Sequence, residues 1–69
     1  MQGNSYYVQF INTKEREYEM YQECKISDNY KQLVNASLEQ AEFLKANVFT
    51  VDTVKILSSS EELLATYNL

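Results

Sequence analysis

Apolar and polar positions alternate with a period of two through Ser5 to Asn12, SYYVQFIN. Tyr6, Val8 and Phe10 form one face and Tyr7, Gln9 and Ile11 the other, and the aromatic and β-branched content predicts a strand. The same period runs through Thr13 to Ile26, TKEREYEMYQECKI. Arg16, Tyr18, Met20, Gln22, Cys24 and Ile26 fall on one side, and Glu15, Glu17, Glu19, Tyr21, Glu23 and Lys25 on the other. As a second strand this stretch turns its even-numbered face to a core and shows water a row of carboxylates. A helix over 14–25 stays open, because Glu17, Met20, Tyr21 and Cys24 also have helical spacing in a run of good helix formers.

The strand reading has its own hairpin register. If paired position numbers sum to 28, Phe10 meets Tyr18 and Val8 meets Met20 inside, while Tyr7 meets Tyr21 and Gln9 meets Glu19 outside. The loop is then Thr13 to Glu15, or Asn12 to Arg16. The lack of a glycine for a positive φ favours the longer form.

From Asn29 to Ala46 the period changes to 3.6, with Tyr30, Leu33, Val34, Leu38, Ala41 and Leu44 in one stripe and Phe43 off it. Ser27-Asp28 offers side-chain oxygens to cap a helix start. Ser37 with Gln40 fits a capping box, so one helix and two short ones are both open. Val48 to Leu57 is β-branched and apolar on both faces, which predicts a third strand with something over each face. Ser58 with Glu61 and Ser59 with Glu62 then form two overlapping capping boxes, predicting a short C-terminal helix that buries Leu63, Leu64, Tyr67 and Leu69. The expected fold is α+β, in the order ββαβα: a three-stranded antiparallel sheet with helices packed on it, as a single domain over residues 1–69.

A chain of 69 residues buries only about 60% of its unfolded surface, so its stability margin is thin. Chains this small often add disulfides, a metal or a partner. Cys24 is the single cysteine and there is no histidine, which removes an intrachain disulfide and a zinc site and leaves self-association into a homodimer. With ten Asp and Glu against six scattered Lys and Arg, direct binding of nucleic acid or of an anionic membrane is not expected. No apolar run approaches a membrane span, and Met1-Gln2-Gly3-Asn4 lacks the basic and apolar parts of a signal peptide, so the expected location is cytoplasmic.

Catalytic chemistry is nearly absent from the inventory. No histidine stands by to activate a Ser or Cys, no Gly-rich loop precedes a helix, and Cys24 falls on the expected inner face. The expectation is a non-enzyme without cofactor or metal. What remains is the row Glu15, Glu17, Glu19 and Glu23 with Tyr7 and Tyr21 beside it. Its plain reading is a solvated face that discourages unwanted pairing, with the two tyrosines as a cross-strand pair. Alternate residues on a strand stand roughly 6.7 Å apart. That is close to the distance between successive phosphates, which rise roughly 3.4 Å along the duplex axis while winding about it. Tyr30 and Phe43 on the helix are further contact candidates.

In Glu17-Tyr18-Glu19-Met20-Tyr21, in the helix entry Ile26-Ser27-Asp28 and in the third strand, the chain resembles the small acidic phage-encoded inhibitors that imitate DNA. It is most similar in pattern to the uracil-DNA glycosylase inhibitors built of two strands, a helix and a third strand. Phage inhibitors of the nucleoid protein HU are an equal comparison. The resemblance implies a dimer that presents carboxylates to the DNA site of a host DNA-binding protein with a basic surface. It also implies an aromatic near the helix start that enters the target, for which Tyr30 is the nearest match. The alternative is a structural or protein–protein interaction module of a phage or mobile element whose acidic face is only solvated.

Overall fold

The computed structural model describes residues 3–14 and 19–69. Four strands and one helix follow in the order β1 (Asn4–Asn12), β2 (Glu19–Ser27), α1 (Tyr30–Asn47), β3 (Thr53–Ser58) and β4 (Leu63–Asn68). The strands form one antiparallel sheet in the spatial order β2-β1-β3-β4. β2 and β3 flank β1 on either side and therefore run parallel to each other, and α1 carries the chain between them over one face. The fold is α+β with one helix on a four-stranded sheet. This overturns the expected three-stranded ββαβα arrangement, because the C-terminal segment is a strand.

That segment follows a hairpin. Glu61 donates its backbone N–H to the Ser58 carbonyl at 2.9 Å, and Ser58 donates its own to the Glu62 carbonyl at 2.8 Å. Glu61 sits at φ 67°, closing a three-residue loop of the kind that ends in a left-handed residue. The Ser58 hydroxyl oxygen accepts from the Glu62 N–H at 3.1 Å, so the serine that would cap a helix instead braces a turn. Strand β3 is thus central rather than at an edge, and within it the core residues Val54 and Ile56 alternate with Thr53 and Lys55, so the expected cover over a second apolar face falls away.

The core lies between the central strands and the helix. Val8 and Phe10 of β1, Val54 and Ile56 of β3, Val51, and Leu33, Ala41 and Leu44 of α1 form one buried cluster, with Tyr6, Val34, Leu38, Phe49 and Tyr67 packed around it. The helix is continuous through Asn35-Ala36-Ser37. Ser37 is buried and donates its hydroxyl to the Leu33 carbonyl at 2.7 Å, which removes the reason for a break there. Its cap is Asn29, not Ser27 or Asp28: the Asn29 side chain accepts from the Gln32 N–H at 3.1 Å, while Ser27 holds the Asn29 backbone in place. The stretch from Val48 is not strand until Thr53. Val48 caps the helix by donating to the Leu44 carbonyl at 2.8 Å and is exposed.

The β1–β2 register corrects the expected one. Phe10 pairs with Tyr21, Val8 with Glu23 and Ile11 with Met20, so paired numbers sum to 31 rather than 28. An odd sum exchanges the faces of β2. Tyr21, Glu23 and Lys25 share the helix-covered face with Phe10, Val8 and Tyr6, and Met20, Gln22, Cys24 and Ile26 share the uncovered face with Tyr7 and Gln9. The segment Glu19–Ser27 is extended, which also disposes of the helical alternative there.

Candidate functional site

Because β2 is an edge strand at the border of the helix, its inward residues can be long and polar without being sealed. Tyr21 lays its ring along that of Phe10, centroids 6.1 Å apart and planes 23° from parallel. Glu23 reaches α1, where Gln40 donates its side-chain amide to the carboxylate, and Lys25 stands 3.3 Å away. Partial burial pushes the Glu23 carboxyl up, but the Gln40 hydrogen bond and the Lys25 charge outweigh it and hold the group below its ordinary value. The Glu23 charge, and then its hydrogen bond, push the neighbouring Tyr21 phenol above 10.0.

Beyond Gln40 the helix and β2 part. Between them runs a groove of about 600 Å3, lined by Glu19, Met20 and Tyr21 from the strand, by Phe43 and Leu44 from the helix, and by Val48 and Phe49 from its end. Phe43 is 62% exposed and Val48 66%, and Tyr21 and Met20 are about half exposed at 46% each. Asn47 fixes the helix end by donating its side-chain amide to the Phe43 carbonyl at 3.0 Å. Glu19 lines the groove from the strand, and Glu39, one turn before Phe43 on α1, lies outside the lining. The arrangement is an apolar trough with one carboxylate, that of Glu19, in its lining.

The residues singled out from the sequence are dispersed by the fold. Glu15 and Glu17 lie outside the described residues. Glu19 is exposed at the start of β2, whereas Glu23 is half-buried and engaged by Gln40 and Lys25. Tyr7 sits on the uncovered face opposite Cys24, so it and Tyr21 are on opposite sides of the sheet rather than paired. Tyr30 packs its ring 5.9 Å from that of Tyr6, and burial, then Tyr67 and Tyr6, push its phenol above the usual value. Only Glu19, Tyr21 and Phe43 meet at one place. Val48, Phe49 and Gln40 complete it without having been anticipated. Phe43, apolar yet off the helical stripe, was the available signal.

Cys24 is exposed on the uncovered face, which corrects its expected inward placement. Among the described residues no group of His, Cys, Asp and Glu is arranged to hold a metal ion. Among them, too, no helix is long and apolar enough to cross a membrane. No family model, curated protein or solved structure matches the chain.

Proposed function

We propose that this protein is a small acidic binding module that grips a basic protein surface through the groove between β2 and the C-terminal half of α1. The observation that carries the reading is the groove itself: two exposed aromatics and Val48 surround a trough of about 600 Å3. Rigid aromatic side chains beside apolar space are the usual anchors of a protein interface. The partner supplies an apolar side chain to the trough and Lys or Arg to the rim, as the formal charge of −4 and the carboxylate of Glu19 favour. A DNA-binding protein is the partner class with such a surface, and occupying it blocks the DNA site.

The test is retrieval of partners with the tagged protein, followed by purified binding with Phe43→Ala and Glu19→Gln. Loss of binding with Phe43→Ala, weakening as salt rises, and competition by duplex DNA support the reading. A partner retained by Phe43→Ala and indifferent to salt refutes it. One observation favours a second contact surface: Ile26 is 73% exposed on the uncovered sheet face, next to Cys24 and across from Ser5. Binding lost with Ile26→Ser but kept with Phe43→Ala would place the contact there instead.

A further inference from the structure

Among the described residues, strand β2 has a neighbour on one side only. The Ile11 carbonyl accepts from the Asp52 N–H and the Ser58 N–H bonds to Glu62, so odd-numbered residues of β1 bond towards β3. Even-numbered residues of β1 therefore bond towards β2 and hold its odd-numbered partners. The backbone groups of Met20, Gln22, Cys24 and Ile26 point outward from the sheet edge. No proline or bulge interrupts the nine-residue strand, so this edge is a template for another strand.

We infer that the strand that completes it is β2 of a second copy, paired antiparallel about a two-fold axis through Gln22. The side chains select this centre. With Gln22 opposite its own copy, Glu19 faces the partner's Lys25 twice over, Tyr21 faces the partner's Glu23, and Met20 faces the partner's Cys24. Moving the axis by one position to Tyr21 sets Glu19 against Glu23, and moving it to Glu23 sets that carboxylate against itself. Both place like charges directly opposite. Lys25, which already pairs with Glu23 at 3.3 Å, then lies between two carboxylates. Three pairs, Met20 with Cys24, Gln22 with Gln22 and Cys24 with Met20, add about six backbone hydrogen bonds and make a continuous eight-stranded sheet.

The axis stands perpendicular to the sheet, so both helices lie on the same face and the two grooves open towards the same side. This inference rests on the chain alone and survives or fails independently of the partner proposed above.

Sedimentation equilibrium of the full chain tests it. The expected result is a dimer that Glu19→Lys or Lys25→Glu each weakens about tenfold or more, and that the double variant restores to near the original affinity. Gln22→Pro removes an outward N–H together with the exposed side-chain bond from Gln9 and leaves the β1–β2 backbone ladder intact, so it should give a folded monomer. Gln22→Cys in a Cys24→Ser background should oxidise to a covalent dimer. The natural Cys24 should not, because its copy lies about 14 Å along the strand. A monomer at millimolar concentration, a dimer that survives Gln22→Pro, a double variant weaker than both singles, or ready Cys24–Cys24 cross-linking would each overturn the pairing.

Discussion

The Asp52 carboxylate accepts both the backbone N–H and the hydroxyl of Thr13, each at 3.0 Å, tying the residue after β1 to the residue before β3. Thr53 adds its hydroxyl at 2.7 Å, and the Asp52 backbone bonds to Ile11 on one side and Leu69 on the other. The Thr53 hydrogen bond lowers the Asp52 pKa most. Partial burial raises it, and the two bonds from Thr13 and the Lys14 charge lower it again, leaving the folded value below 3.8. The folded state therefore binds fewer protons than the unfolded state between those two values. The stabilisation is fully present above 3.8 and is lost as pH falls through the folded pKa. Denaturant titrations across the acid range should show stability dropping below about pH 4. Asp52→Asn should be less stable at neutral pH and lose part of that acid dependence.

Glu61 occupies the left-handed region at φ 67°, where a Cβ is disfavoured. Glu61→Gly relieves the strain but adds freedom to the unfolded chain. The balance should stabilise the protein by about 0.5–1 kcal/mol, seen as a higher denaturant midpoint at unchanged slope. Glu61→Val should move the midpoint the other way.

Gly3 runs against the start of the helix connection. A Cβ placed on it would stand 2.6 Å from the Ser27 carbonyl carbon and 2.9 Å from the Asp28 nitrogen, both backbone atoms that cannot turn aside. Gly3→Ala should cost about 1–3 kcal/mol. Faster hydrogen exchange at the Asn4–Ser27 end of the β1–β2 ladder would show where the strain is released.

Much of this architecture was open to inspection in the chain. The Tyr6, Val8 and Phe10 face and the Leu33, Ala41 and Leu44 stripe both point into the core as their periods require. The errors arose where two local rules share one pattern. Ser58 with Glu61 satisfies a helix capping box, yet the same spacing satisfies a hairpin, and only the neighbouring β3 decides for the hairpin. The β1–β2 register was hidden for a different reason. Apolar Met20, Cys24 and Ile26 argue for the inside and the glutamates for the outside. The odd register is accompanied by contacts distant in sequence: Gln40 with Glu23, Phe10 with Tyr21, and the 2.9 Å amide bond from Gln9 to Gln22. The same inversion dispersed the expected site. It placed Tyr21 beside the groove and left Tyr7 on the other face.

Glu23 holds the Tyr21 phenol above 10.0 first through its charge and then through a hydrogen bond. Glu23→Gln removes the charge and keeps the shape. The Tyr21 titration, followed by NMR at the ring carbons, should fall towards 10.0. Gln40→Ala should leave the Tyr21 midpoint raised, because the carboxylate charge persists. A Tyr21 midpoint unchanged by Glu23→Gln would mean that the two side chains do not meet in solution.

Substitution at Phe43 should separate the proposed binding from folding. Its ring is 62% exposed and lies outside the buried cluster, so Phe43→Ala should change stability by no more than about 0.5 kcal/mol. Anchoring aromatics commonly account for 2 kcal/mol or more of an interface, so the same substitution should weaken partner binding by about thirtyfold. Leu44, buried one position further along the helix, provides the contrast: Leu44→Ala should cost about 2–5 kcal/mol of stability. Calorimetric binding and denaturant unfolding on the two variants should therefore give opposite rankings. Equal loss of stability in both would mean that Phe43 belongs to the core and that the groove is closed in solution.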